Sequence, residues 1–354
     1  MTSATITVSD LAHGAASTVV RDVLEYSADP VVVVDLDGAD DTDVPAAVAG
    51  VPALDRIVVG RAVRPVSPAV AELMTALDLT YVPSHTTAPR VAVPVADVTS
   101  ALDAFRTAVA ACPQSSLVAA QVVRVAEPLD VPSAIDVESL AYSTLQGGAE
   151  FQHWLADRRA LGRPLPPPPA AEPVLSRRDG DTLTVTLNRP ERRNAYGTAL
   201  RDGLVEALRL PMLDDTVARI VLDGAGTSFC AGGDLDEFGH APDTTTAHLI
   251  RTRGGAGRLV AALSGRMEVH LHGHCVGAGI EIPAFAGRVV AAPDTALRLP
   301  EVSMGLIPGA GGTVSVPRRI GRWRALHLFV TGTTLDAQQA LAWGLVDEVA
   351  TAAG

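Results

Sequence analysis

The sequence predicts an α/β protein in two parts, and three observations carry that expectation. Apolar runs short enough to be buried strands, Val31 to Leu36 (VVVVDL) and Ile57 to Val59, alternate with stretches of helical periodicity. Six prolines fall within the eleven residues Arg163 to Pro173, which excludes helix and sheet and favours a stiff extended connector. The length, 354 residues, exceeds the roughly 100–200 residues usual for one domain. The chain therefore divides into an N-terminal α/β region over 1–162, a linker over 163–173 and a second domain over 174–354.

In the first part, the strands at 31–36 and 57–59 are followed by a helix over Ala101 to Ala111 and by Leu117 to Arg124, which reads as another strand or an apolar turn. Asp136 to Ala160 is a helical stretch with Leu140, Leu145, Phe151, Trp154 and Leu155, interrupted at Gly147 and Gly148, which suggests a bent pair of helices. The acidic run Asp35, Asp37, Asp40, Asp41, Asp43 lacks the glycine and glutamate positions of a calcium loop and reads as a solvated turn. After the linker, Thr182 to Leu187 alternates as a strand, Thr198 to Leu210 is an amphipathic helix and Ile220 to Asp223 is a second strand. The pieces VVVVDLDG (Val31 to Gly38) and RIVLDGAG (Arg219 to Gly226) both end a strand in Asp-Gly. A degenerate internal repeat is one reading; the common ending of an α/β strand is the other.

Composition removes several function classes. Hydrophobic residues are 47% and charged residues 19%, enough for a sizeable core and against extended disorder. The net charge of −12 opposes binding to a phosphate backbone. All 28 basic residues are arginines, so neither a Schiff-base lysine nor a P-loop lysine is present. Cys112, Cys230 and Cys275 are scattered and outside CxxC spacing, which encodes neither a disulfide framework nor a thiolate zinc site. The first residues show no basic segment leading into an apolar run, and no stretch approaches about 18 apolar residues. The expectation is a cytoplasmic protein without membrane or nucleic-acid partners.

Three glycine-rich segments carry the chemistry: Phe229 to Leu235 (FCAGGDL), Gly277 to Glu281 (GAGIE), and Pro300-Glu301 running on to Pro308 to Thr313 (PGAGGT). None fits a dinucleotide fingerprint or a nucleophile elbow. Glycine lets a ligand approach peptide N–H groups closely, and two such groups aimed at one point make an oxyanion hole; Gly233 and Ala278 are the candidates. If Ala278 opens a helix, Glu281 lies one turn on along the same face. Glu301, set by Pro300 at the end of an apolar run, is a second carboxylate, and two glutamates at one site could hold and activate a water.

On LNRPERRNA (Leu187 to Ala195), SFCAGGDL (Ser228 to Leu235), GHCVGAGIEIP (Gly273 to Pro283) and LPEVSMGLIPGAGGT (Leu299 to Thr313), residues 174–350 resemble the crotonase (enoyl-CoA hydratase/isomerase) superfamily. The resemblance implies a ββα spiral core in the C-terminal half, with Gly233 and Ala278 as oxyanion N–H donors and Glu281 and Glu301 as the two hydratase carboxylates. It implies hydration of an enoyl-CoA, with Arg193, Asn194, Ala195, Ala231 and Asp234 bordering the nucleotide end of coenzyme A. No cofactor or metal is then needed beyond the coenzyme A of the substrate, and a homo-oligomer, trimer or hexamer, is expected. Other crotonase reactions (isomerase, hydrolase, cofactor-free oxygenase) and a non-catalytic acyl-CoA-binding subunit are the alternatives. The family's C-terminal helices have no counterpart after the core in this sequence, and the stretch Asp136 to Ala160, notably EFQHWLADRR, resembles them. A tandem or permuted arrangement, with an N-terminal, non-catalytic half supplying the cover, is the corresponding expectation.

Three features admit both a functional and a structural reading. His270, His272 and His274 alternate as on one face of a strand and read as metal ligands or as packing and substrate contacts. Cys230 and Cys275 each sit near an oxyanion position and read as small core residues or as nucleophiles, though the sequence identifies no dedicated base for either. Arg318, Arg319, Arg322 and Arg324 read as an exposed helical face or as contacts to coenzyme A phosphates.

Overall fold

The N-terminal region winds in one direction, each strand added beside the last. Strand β1 (Thr5–Thr7), helix α1 (Val8–Ala12), β2 (Val31–Asp35), α2 (Val44–Gly50), β3 (Ile57–Arg61), α3 (Pro68–Ala76), β4 (Leu79–Pro83) and β5 (Val93–Val95) give a five-stranded sheet in the order β1-β2-β3-β4-β5, parallel throughout. The structure, a computed structural model, describes residues 5–15, 30–84, 88–162 and 172–351. The proline-rich segment 163–171 lies outside the described residues. Right-handed crossovers that always step the same way place their helices on one face. Val32, Val34 and Val58 accordingly share a core with Val8, Leu11, Val44, Val70 and Leu73. The alternate residues Val31, Val33, Ile57, Val59, Leu79 and Tyr81 belong to the larger core that continues into the second half.

Four helices follow: α4 (Val98–Ala111), α5 (Pro113–Ala126), α6 (Val131–Gln146) and α7 (Ala149–Ala160). Their starts are encoded locally. Asp97 and Asp130 accept the N–H groups of Ser100 and Ser133, and Pro113 and Pro132 stand in the first turns of α5 and α6. Glu150 on α7 accepts the N–H groups of Gln114 and Ser115 at 2.7 and 3.0 Å, at the positive end of α5. Leu117 to Arg124, expected as strand or turn, is thus helix. Its buried residues Ser116, Ala119, Ala120 and Val123 repeat at three to four, a period that the continuous apolar run concealed. The bent pair expected over 136–160 is α6 and α7, divided at Gly147 and Gly148.

The second half comprises β6 (Val174–Asp179), β7 (Thr182–Leu187), α8 (Thr198–Leu213), β8 (Arg219–Gly224), α9 (Thr244–Gly254), α10 (Gly257–Ala262), β9 (Met267–Leu271), β10 (His274–Val276), α11 (Ala278–Glu281), β11 (Arg288–Ala291), β12 (Ala296–Arg298), α12 (Gly312–Ile320), α13 (Arg322–Thr331), β13 (Leu335–Asp336), α14 (Ala337–Trp343) and β14 (Glu348–Val349). Six strands form a sheet in the order β14-β11-β9-β8-β7-β6, parallel except for the β6–β7 hairpin, and β10-β12-β13 form a smaller one.

Helix α6 packs on α9 and α12, while α4 and α5 pack on α13. Tyr142 of α6 lies so close over Gly309 that any side chain there would collide with the ring. Polar groups also cross the seam. Asp78, fully buried and bonded by Arg124 and the Val58 N–H within the N-terminal region, faces the Arg322 guanidinium of α13 at 3.8 Å, and the Tyr81 hydroxyl meets His327 Nδ1 at 2.9 Å.

Two expectations are corrected by this packing. Arg322 and Arg324 are not an exposed face: both are buried and donate to the carbonyls of Thr75 and Ala92 in the N-terminal region. Arg318 and Arg319 likewise donate to the carbonyls of Leu129, Ala284 and Ala286. The three histidines do not share one strand face, because the chain turns at Gly273 (φ +55°) between β9 and β10. His270 pairs with Glu268 and His272 meets the Gly226 carbonyl. No single described helix is long and apolar enough to cross a membrane.

Candidate active site

The loop leaving β8 is shaped by one side chain. Asn194, fully buried and left-handed at φ +53°, accepts the Arg189 N–H at 2.7 Å through Oδ1. Its Nδ2 donates to the carbonyls of Ala225, Ser228 and Phe229 at 2.9–3.0 Å. The loop then runs beside two partners. Cys230 pairs with Cys275, and Gly233 pairs with Tyr196. In the second pairing Tyr196 bonds the Gly232 carbonyl and the Asp234 N–H, so the N–H of Gly233 points to the opposite side. Ala278 stands at the first position of α11, where an N–H has no intrahelical acceptor. Among the described residues neither N–H has a backbone partner.

Glu281, 2% exposed, follows one turn after Ala278. Its Oε2 accepts the N–H groups of Ala310 and Gly312 at 2.7 and 2.9 Å. Glu301 begins a short 3₁₀ turn, Glu301–Met304. Its Oε1 lies against Gly277, where φ is +50° and a Cβ would collide with the carboxyl group. Its Oε2 is buried without a hydrogen-bond partner. Burial, the charge of Glu301 and that of Glu138 push the Glu281 carboxyl well above the ordinary range, against the pull of its two N–H donors. Burial and the charge of Glu138 push Glu301 up to about 8, with Arg298 opposing.

These groups line one cavity of about 480 Å³, shared by Gly233, Ala278, Glu281 and Glu301 of the second half with Glu138 and Tyr142 of α6. The two α6 residues were not singled out from the sequence. A signal existed: Glu138 falls among Ala134, Ile135 and Leu145 in the buried stripe of its helix, where a carboxylate is unusual. Glu138 is 1% exposed. It accepts the Gly311 N–H at 2.8 Å, the Thr313 N–H at 2.9 Å and the Thr313 hydroxyl at 2.7 Å.

Of the residues expected near coenzyme A, Asp234 lines the cavity, and its carboxylate meets Arg192 at 2.6 Å. Arg193, Asn194, Ala195 and Ala231 belong to the adjoining turn and are not part of the lining. The carboxamide of Asn194 is fully engaged by backbone, whereas Arg193 is exposed. Both cysteines near the site are buried, and burial pushes the Cys230 thiol up to about 12 and the Cys275 thiol up as well. Neither thiol is activated as a nucleophile. Among the described residues no three His, Cys, Asp or Glu groups stand where they could hold a metal ion together.

A sequentially wound parallel sheet with two free backbone N–H groups and paired carboxyls at its loops defines a class. Residues 178–353 match the family model of enoyl-CoA hydratase/isomerase, and the chain belongs to that family. It is 36% identical over 181 residues to 1,2-epoxyphenylacetyl-CoA isomerase of Escherichia coli (strain K12), an overlap covering 50% of this chain and 69% of that protein. It is 35% identical over 179 residues to 2,3-dehydroadipyl-CoA hydratase of the same organism, covering 51% and 69%. Enoyl-CoA hydratase from Thermoplasma volcanium GSS1, a solved structure, aligns at 32% identity and a TM-score of 0.47 over 51% of this chain and 72% of that one.

Proposed function

We propose that the protein carries out a crotonase-type reaction on an acyl-CoA and, more specifically, hydrates an enoyl-CoA thioester across C2=C3. The observation that supports this most is the presence in one cavity of two carboxyl groups, Glu281 and Glu301, and two backbone N–H groups, Gly233 and Ala278, without backbone partners. In this reading the thioester oxygen lies between the two N–H groups, which stabilise the enolate-like charge as it develops. Glu281, whose Oε2 is already stabilised by two N–H donors, takes a proton from water as the oxygen bonds to C3. Glu301, with its unpartnered Oε2, gives a proton to C2. The π bond is replaced by one C–O and one C–H bond, and coenzyme A enters only as part of the substrate.

Double-bond isomerisation is the second reading, favoured by 34% identity over 175 residues to an enoyl-CoA isomerase/hydratase of Mycosarcoma maydis. There the same carboxyls would move a proton between carbons and no water would be added. Incubation with a panel of enoyl-CoA thioesters and mass analysis separates the two. Gain of one water supports hydration, a shifted double bond at unchanged mass supports isomerisation, and binding without turnover would sink both. Hydration should decline as pH rises through about 8, where Glu301 loses its proton. A cytoplasmic homo-oligomer, trimer or hexamer, belongs to the same reading.

A further inference from the structure

The turn that opens α12 offers four consecutive N–H groups, and two carboxylates divide them alternately. Ala310 and Gly312 donate to Glu281, while Gly311 and Thr313 donate to Glu138. Successive N–H groups at a helix start diverge around the axis, so one carboxylate reaches only part of the set. The two glutamates therefore grip the turn from two sides. One comes from α11 and the other from α6, 173 residues before Gly311.

We propose that Glu138 is a positioning residue of the active site: by holding Gly311 and Thr313 it fixes the turn on which Glu281 is suspended, so that helix α6 determines where that carboxylate sits. The inference rests on the reading of Glu281 and Glu301 as the working carboxyls. Glu138 accepts three hydrogen bonds, one of them from the Thr313 hydroxyl, an arrangement suited to the ionised form. The groups facing it are Glu281, Glu301, Tyr142 and the guanidinium of Arg251. Arg251 donates to the Ser139 hydroxyl and carbonyl and to Gln146, leaving Glu138 held by the turn rather than by a direct ion pair. Near pH 8, where Glu301 titrates, Glu138, raised only to about 7, is the anion that favours the protonated state of Glu301, the acid of the proposed step, while the N–H groups of Ala310 and Gly312 pull Glu281 toward the ionised form.

The test compares the full-length protein with Glu138→Gln and with Thr313→Val, which removes one donor to Glu138 and leaves α6 intact. Two readouts are taken. The first is the pH profile of kcat and KM for the best enoyl-CoA. The second is the infrared titration of protonated carboxyls, assigned with Glu281→Gln and Glu301→Gln, which needs no turnover. Glu138→Gln is expected to lower kcat about tenfold or more with little change in KM, because positioning acts on the reacting groups. It should also move the alkaline limb and the carboxyl titration to lower pH, and Thr313→Val should move both the same way by less. A stability loss with unchanged titration and unchanged pH profile would make Glu138 a mere staple and overturn the inference, and Thr313→Val alone decides if Glu138→Gln fails to fold. An inactive wild type would instead count against the hydratase reading, with the carboxyl titration still deciding the role of Glu138.

Discussion

Strands β2 and β8 occupy the same kind of place, each inside a parallel sheet wound in chain order, and each runs out into Asp-Gly. Their corners differ. After β2 the chain closes on itself: Asp37 accepts the N–H groups of Val63 and Arg64 at 3.0 and 2.9 Å, Asp35 pairs with Arg61 at 2.8 Å, and Asp41 accepts the Ser67 hydroxyl. After β8 the corner is held open by buried Asn194, and the chain continues through Cys230 to Gly233 with N–H groups left over. The same strand supports both outcomes. What separates a closed corner from a reactive one is where the loop's backbone hydrogen bonds go, not the sheet beneath it.

That contrast can be broken by substitution, most severely at the open corner's chemistry. Glu281→Gln and Glu301→Gln should each lower turnover by about 10²–10⁴-fold while thioester binding survives. Steady-state kinetics and calorimetric binding would show it, and full activity in either variant would remove that residue from the mechanism. Next in size, Ala278→Pro deletes a backbone N–H and should cost on the order of 2.7–4 kcal/mol of transition-state stabilisation, whereas Ala278→Gly keeps the donor. Equal rates for the two folded variants would place the thioester oxygen elsewhere.

The corner's scaffold comes third. Asn194→Ala strips partners from one N–H and three carbonyls, each exposed to a penalty of about 1–3 kcal/mol when left buried and unpaired. Urea unfolding should show a loss well above that of a surface change. The closed corner, which water can reach, should be forgiving: Asp37→Ala is expected to cost about 1 kcal/mol and leave activity untouched. A larger loss from Asp37→Ala than from Asn194→Ala would erase the distinction between the corners.

The carboxyls also make a prediction about stability. Folding raises Glu301 from an ordinary 4.5 to about 8 and Glu138 to about 7, so the folded chain binds more protons than the unfolded chain between those values. Stability should then fall as pH rises from about 4.5 toward 8. Glu301→Gln should flatten the fall in Tm across that window; an equally steep fall would mean that Glu301 titrates normally.

Much of the second half was legible because its chemistry is local. A glycine before Ala278, a carboxylate one turn on and a proline before Glu301 are features of short segments, and the structure brings Gly233, Ala278, Glu281 and Glu301 to one cavity. The strand over 182–187 was legible from alternation, and the bend at Gly147 from the glycines alone. Helix α5 was not, since a stretch as apolar as Leu117 to Val123 shows no period to choose between helix and strand. Glu138 was not, because its meaning depends on N–H groups that only the fold brings near. Arg322 and Arg324 were misplaced for the same reason: their acceptors are carbonyls of the other half.

The reach from Glu138 to Gly311 bears on how the chain comes to be folded. A ribosome adding about 5–20 residues per second needs roughly 9–35 seconds to make the 173 residues between them. Through that interval α6 exists without the turn that receives its carboxylate, and its buried stripe of Ala134, Ile135 and Leu145 has no surface to meet on α12. The site's last hydrogen bonds thus close only after residues as far as Thr313 have emerged, which puts this contact among the slow, late events expected of pairings so distant along the chain.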